Sequence, residues 1–229
     1  MGRFNLAVLG PTGVGKSTLI NTVFGEAIAQ TGVGRPVTQG RHFYVREDVR
    51  LAVYDTQGLE VGSDEGAAIG ELGDFIRASQ RDDPSRHIHC AWYCVGSGSN
   101  RFTRAEARAI QELADWGIPV LLVMTRVPLT RDGILPQARA FADEIESMNL
   151  PLGRASVFLL NAQDVDFDET PAHGVNTLID ATYEIAPWGV RAAFAAAQRV
   201  NHQSGTTQVA DQFAWVHDGH AHGGTFHTY

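Results

Sequence analysis

Gly10-Pro11-Thr12-Gly13-Val14-Gly15-Lys16-Ser17 is the stretch that decides the fold. It matches the spacing G-x-x-x-x-G-K-[ST]. In that spacing glycines let the backbone curl around an anion, a lysine reaches the same anion, and a hydroxyl faces a divalent cation. The apolar run Phe4 to Leu9 precedes it and reads as a strand, and Thr18 to Phe24 follows it and reads as a helix. Strand, glycine loop and helix is the context the spacing needs. The positive end of the helix dipole then adds to the field of the loop amides. Gly10, Gly13, Val14, Gly15, Lys16, Ser17 and Thr18 are therefore expected to hold a phosphate chain, with Lys16 on the β and γ phosphates and the Ser17 hydroxyl on Mg²⁺.

Lys16 is the only lysine in 229 residues, against 17 arginines. A loop closing on phosphate needs a compact ammonium on a slim stem, and a planar guanidinium does not fit the same space.

Working outward, the strands alternate with helices. Residues 4–9 are the first strand and 16–24 the first helix. Residues 26–40, rich in Gly, Thr and Gln, read as a loop. Two runs, His42 to Val45 and Arg50 to Tyr54, flank the polar turn Glu47-Asp48 as an antiparallel hairpin. A helix is expected around 69–79, a strand at 88–95, and a helix from the capping box Thr103-Arg104-Ala105-Glu106 to about Trp116. A buried strand at 120–125, a helix from Pro136 to Met148, a strand at 157–160 and a helix at 175–185 follow. This pattern predicts an α/β fold, a three-layer domain with a mostly parallel sheet and one antiparallel hairpin strand, over residues 1–186. Residues 187–229 read as an Ala-rich helix from Pro187 to about Val200, with Val190, Phe194, Ala197 and Val200 on one face, and then a polar, His-rich tail.

Composition narrows the function. The formal charge of −8 gives no direct nucleic-acid signal. The longest apolar run, Ile118 to Met124, is far below the roughly 18 residues of a transmembrane helix. No separate signal-peptide core precedes the glycine loop. Cys90 and Cys94 on one strand face would lie about 13 Å apart, too far for a disulfide, and read as buried thiols. A cytoplasmic, reducing setting is the expectation.

In parallel sheets ligands gather at the carboxyl ends of strands. The glycine loop, Asp55, Thr125 and Asn161 all fall at such ends. Asp55 in Asp55-Thr56-Gln57-Gly58 is placed to hold Mg²⁺ through a water, because Mg²⁺ keeps several of its waters. The Gly58 N–H can approach a γ-phosphate with no Cβ between. Thr38, in Arg35-Pro36-Val37-Thr38, is the preferred hydroxyl for Mg²⁺ and γ-phosphate, with Thr31 as the alternative.

Together, Gly10–Ser17, Thr38 and Asp55–Gly58 resemble the first three motifs of P-loop GTPases of the translation-factor and Ras-like class. The run Gly10-Pro11-Thr12-Gly13-Val14-Gly15-Lys16-Ser17-Thr18 and Arg101-Phe102-Thr103 are most similar to septin, immunity-related and small bacterial ribosome- or membrane-associated GTPases, over about residues 4–185. The resemblance implies GTP and GDP as ligands, Mg²⁺ as cofactor, and GTP hydrolysis that switches two loops. It also implies that guanine is read after the strand at 120–125. There the chain has Thr125-Arg126-Val127-Pro128 in place of Asn/Thr-Lys-x-Asp. Thr125 fits and Arg126 could stack on the base, but Pro128 cannot accept hydrogen bonds from guanine. Asp132 is the acid that would have to fold back to serve. Asn161-Ala162 resembles the Ser-Ala motif, whose backbone N–H contacts guanine O6. GTP is expected over ATP.

For hydrolysis the resemblance asks for a Gln directly after Gly58, where this chain has Leu59. Gln57 on the other side of Gly58, an activating protein partner or a second protomer would then orient the water. Arg35 or Arg41 could add transition-state charge, and both also read as ordinary solvated arginines. Slow intrinsic turnover is expected. A nucleotide-dependent assembly module with little hydrolysis is the competing reading, and a small-molecule kinase a third. His217-Asp218-Gly219-His220-Ala221-His222, and His87 with His89, carry metal-ligand types but read first as polar tail and strand start.

Overall fold

The structure is a computed structural model that describes residues 2–25, 36–38, 41–46, 50–56, 73–74, 76–77, 87–99, 101–164 and 170–202. Its frame is a seven-stranded sheet in the order β2-β3-β4-β1-β5-β6-β9. The strands are β1 (Phe4–Leu9), β2 (Pro36–Thr38), β3 (Arg41–Arg46), β4 (Leu51–Thr56), β5 (Cys90–Gly96), β6 (Val120–Thr125) and β9 (Phe158–Leu159). β1, β4, β5, β6 and β9 run parallel. β2 and β3 are the antiparallel edge.

Side-chain alternation along the strands divides the core into two layers. Phe4, Leu6 and Val8, with Cys90, Trp92 and Cys94, enter one cluster. Ala7 and Leu9, with Ala91, Tyr93 and Val95, enter the other. Both faces are buried, so these strands read as continuous apolar runs.

The first face is covered by α1 (Lys16–Phe24), α4 (Val175–Ile185) and α5 (Trp188–His202). The second is covered by α2 (Arg104–Asp115) and α3 (Pro136–Ser147). The helices bury residues at i, i+3, i+4 and i+7, as the 3.6-residue period demands: Ala138, Phe141, Ala142 and Ile145 on α3, and Val190, Ala193, Phe194 and Ala197 on α5. α2 begins at the expected capping box, in which Thr103 Oγ1 accepts from the Glu106 N–H and Glu106 Oε2 accepts from the Thr103 N–H. Within the helix expected at 69–79, residues 73, 74, 76 and 77 are described and helical, and Ile76 is buried.

α5 docks through aromatic contacts: the Phe194 ring lies 4.7 Å from that of Phe4 and 6.2 Å, edge-on, from that of Phe24. Beneath it, Phe24 stacks on Trp92, whose indole N–H donates to Thr182 Oγ1 at 2.9 Å. The Thr182 hydroxyl donates in turn to the Leu178 carbonyl, so this buried polar chain is closed.

Two elements correct the sequence reading. The span 26–40, read as a loop, contains β2, whose pairing with β3 shifts register between Pro36 and Thr38. Residues with no apolar period at 126–135 form a small hairpin, β7 (Leu129–Thr130) with β8 (Gly133–Ile134). Gly133 takes φ +104°, which favours glycine at its turn.

Candidate functional site

Every parallel strand delivers its carboxyl end to one edge of the sheet, and the glycine loop lies there. Gly10 leaves β1 at φ +125°, so tightly against β5 that a Cβ would fall 2.0 Å from the Cys94 carbonyl oxygen. Gly13 and Gly15 also take left-handed φ, +80° and +102°. Gly15 is the N-cap of α1 and carries no side-chain cap, which leaves the first N–H groups of the helix aimed into the loop. Lys16 is buried. Its ammonium donates back across the loop to the carbonyls of Gly10 at 2.8 Å and Pro11 at 2.9 Å. Ser17 is exposed beside it, and Val14 packs into the core.

The sheet register brings the other phosphate-side candidates to the same edge. Asp55 pairs through its backbone with Val8 of β1 and His42 of β3. Thr38 pairs with Arg41, which pairs with Thr56, so β2 ends level with the carboxyl end of β4. The backbone thus carries positions 38 and 55 to the edge of the sheet at which the glycine loop lies. Gln57, Gly58, Leu59, Thr31 and Arg35 lie outside the described residues, as do 203–229 with their histidines.

Beside the glycine loop opens a cleft of about 360 Å³. Gly15 and Thr18 form its floor toward the phosphate side, Thr125, Arg126 and Pro128 one wall, and Asn161 to Asp164 with Thr170 the other. Thr125 is buried, and its Oγ1 sits against the Val14 and Val95 carbonyl oxygens, so the end of β6 is tied to the loop. Arg126 takes φ +55°, is exposed, and its Nε would lie 3.5 Å from a Cβ at Gly15.

Asn161 is buried and acts on its own segment: its amide donates to the carbonyls of Gln163 at 2.6 Å and Pro171 at 3.3 Å. Its backbone forms an antiparallel bridge with His173. Ala162 accepts from Thr22 Oγ1 of α1 at 3.0 Å, which fixes this wall to the helix that follows the glycine loop.

Asp132 is exposed in the β7–β8 turn, where its N–H donates to Thr130 Oγ1. It does not line the cleft, which corrects the idea that it folds back. The acid that does line it is Asp164, which the sequence reading passed over. Its position three residues after Asn161 was the available signal. What the sequence could not show is that Asp164 Oδ1 accepts from the Ala172 N–H at 2.7 Å, which ties the two residues together.

His87 and His89 lie at the opposite end of the sheet. His89 Nδ1 accepts from the Asn5 N–H at 3.0 Å, which uses the lone pair a metal would need. Burial, with the neighbouring His87 adding to it, lowers the His89 pKa from 6.5 to about 4. Cys90 and Cys94 are buried thiols outside any disulfide, and burial raises the Cys90 thiol pKa, so Cys90 is an inert packing group. Among the described residues no helix is long and apolar enough to cross a membrane.

A glycine loop between β1 and α1 on a parallel sheet, with a buried lysine crossing it, defines a P-loop nucleoside-triphosphate-binding domain. Residues 5–126, more than half of the chain, match the model of the family described as 50S ribosome-binding GTPase, and the chain belongs to that family. Cell division control protein 10 of Saccharomyces cerevisiae is 24% identical over 66% of this chain and 55% of its own length. GTPase Era of Chromobacterium violaceum is 27% identical over 61% of this chain and 44% of its own. The chain thus spans about half the length of the curated relatives it matches.

Among solved structures, the septin GTPase domain of Chlamydomonas reinhardtii superposes with a TM-score of 0.55 at 14% identity, over 87% of this chain and all of that one. Era of Aquifex aeolicus superposes with 0.53 at 17% identity, over 82% and 58%. These two superpositions establish the fold.

Proposed function

We propose that this chain is a Mg²⁺-dependent GTPase with slow intrinsic turnover that acts as a nucleotide switch in the cytoplasm. The observation that carries the reading is the Lys16 ammonium held across the glycine loop on the Gly10 and Pro11 carbonyls. A buried cation held against backbone carbonyls, inside a curl of amide groups, is pre-arranged for a triphosphate.

Lys16 then binds the β and γ phosphates, and the amides of Gly13, Val14 and Gly15 wrap the chain of oxygens. Ser17, Thr38 and Asp55 are the residues that would hold Mg²⁺, which when bound neutralises charge on the β and γ oxygens. Gly58 meets the γ-phosphate through its N–H, and Gln57 orients the attacking water. Leu59, standing where the related enzymes have a Gln, supports a low rate unless an activating partner or a second protomer completes the site. Thr125 holds the loop in place, Arg126 stacks over the base, and the Ala162 N–H meets guanine O6, with Asn161 fixing that segment. Loss of the γ-phosphate frees Thr38 and Gly58, which is the switch.

Phosphate release from GTP tests the reading: the wild type should be active with Mg²⁺, and both chelation and Lys16→Ala should reduce the rate to background. Equal rates in wild type and Lys16→Ala would overturn it. Leu59 after Gly58 and Pro128 in the base-reading segment favour a second reading, a nucleotide-dependent assembly module with little hydrolysis. GTP-dependent oligomers with background turnover would support that one instead.

A further inference from the structure

Guanine and adenine differ most at one edge. Guanine presents N1–H and a 2-amino group side by side, both donors, where adenine presents a bare N1 and a C–H. A site that selects guanine therefore needs an acceptor pair in its cleft, fixed before the base arrives. Among the side chains that line the cleft beside the glycine loop, one carries two acceptor oxygens on a single group. Pro128 has no side-chain acceptor, and the Arg126 guanidinium only donates. The Thr125 hydroxyl faces the Val14 and Val95 carbonyls, the Asn161 amide nitrogen is spent on the Gln163 and Pro171 carbonyls, and the Asn161 and Gln163 side chains each carry one neutral amide oxygen where a pair of acceptors is needed.

Asp164 is the carboxylate that lines the cleft. Its Oδ1 accepts from the Ala172 N–H at 2.7 Å, which fixes the side chain relative to the backbone of the wall that carries it. A carboxylate offers about four acceptor sites over two oxygens, so capacity for two further N–H groups remains. The wall itself is held by the Asn161–His173 bridge and by Thr22 Oγ1 on the Ala162 carbonyl.

We propose that Asp164 selects guanine, its carboxylate accepting from N1–H and the 2-amino group. The acid that Pro128 displaces from the segment after β6 has then been replaced from the segment after β9. This inference rests on the cleft being the base site of the proposed GTPase.

Titration calorimetry of the full chain with Mg²⁺ and GTP, ATP or xanthosine triphosphate tests it. The wild type should prefer GTP over ATP by at least about tenfold. Asp164→Ala should lower GTP affinity to the ATP level while ATP affinity stays within about twofold. Asp164→Asn should favour xanthosine triphosphate over GTP, because its amide oxygen accepts from N1–H while its amide nitrogen donates to the 2-oxo group. A purely structural role would not produce that exchange, and Asn keeps an acceptor for the Ala172 N–H. An Asp164→Asn protein with wild-type GTP preference would overturn the inference. So would wild-type protein that binds GTP and ATP equally, which leaves the phosphate site standing. Equal losses for GTP and ATP in Asp164→Ala would also overturn it, by making Asp164 a loop tie. Wild-type protein that binds no nucleotide would overturn the GTPase reading and this inference with it.

Discussion

Thr125 Oγ1 sits against the carbonyl oxygen of Val14, so the last residue of β6 braces the glycine loop from behind. Both partners are buried. Replacing the hydroxyl with a methyl leaves a buried carbonyl without its donor, at a cost of about 1–3 kcal/mol. Thr125→Val should lower the free energy of urea unfolding by that amount and weaken GTP binding, while Thr125→Ser restores both. A valine variant as stable as the wild type would show that the contact contributes nothing.

Gly10 and Gly13 both have positive φ, yet their substitutions should differ. An alanine Cβ at Gly10 would lie 2.0 Å from the Cys94 carbonyl oxygen, a backbone atom that no rotamer change can move, whereas nothing lies within 4 Å of a Cβ at Gly13. Gly13→Ala therefore carries only the left-handed backbone cost, about 1–2 kcal/mol. Gly10→Ala must move β1 away from β5 and should exceed about 4 kcal/mol, enough to unfold a marginal domain. Thermal melts of the two variants compare them directly.

Acid should weaken the fold through His89. Its folded pKa of about 4 lies below the unfolded value of 6.5, with burial the first cause and the charges of His87 and Arg3 adding to it. Above 6.5 neither state carries the proton and stability is unaffected. Between 6.5 and 4 the unfolded chain protonates first, so stability declines as pH falls, and below 4 the difference stays constant. The partly solvated ring limits the effect to on the order of 2 kcal/mol. Stability measured from pH 7.5 to 4 should slope less in His89→Gln than in the wild type, and matching slopes would exclude His89 as a source.

Phe194 joins α5 to β1 and α1 through the Phe4 and Phe24 rings. It is fully buried, so Phe194→Ala should cost about 3–5 kcal/mol. Denaturant unfolding measures that loss. A value below about 1 kcal/mol would mean that α5 lies on the surface without contributing to the core.

The phosphate half of the site was readable because its chemistry is local. Gly10 to Ser17 carry the loop, the lysine and the hydroxyl in eight consecutive residues, and the flanking apolar periods give β1 and α1 with the observed boundaries. The base half was legible only in part, because it is assembled from two segments far apart in sequence. Thr125 and Asn161 could be placed at strand ends, but whether a polar side chain faces a ligand or its own backbone depends on hydrogen bonds such as Asn161 to Pro171. Asp164 was missed for the same reason. β2 and the β7–β8 hairpin were missed because three and two residues are too few to show a period.

The contact of Phe4 with Phe194 has a consequence for how the molecule is made. β1 leaves the ribosome well before α5 and lies at the middle of the sheet, and the helix that completes the roof over its apolar face is encoded almost two hundred residues later. Throughout that interval the part of this face that α5 covers, Phe4 among it, has only α1 and α4 to shield it. The nascent chain is therefore most prone to aggregate just before α5 emerges, and synthesis halted at Pro187 would release a sheet with its seam still open.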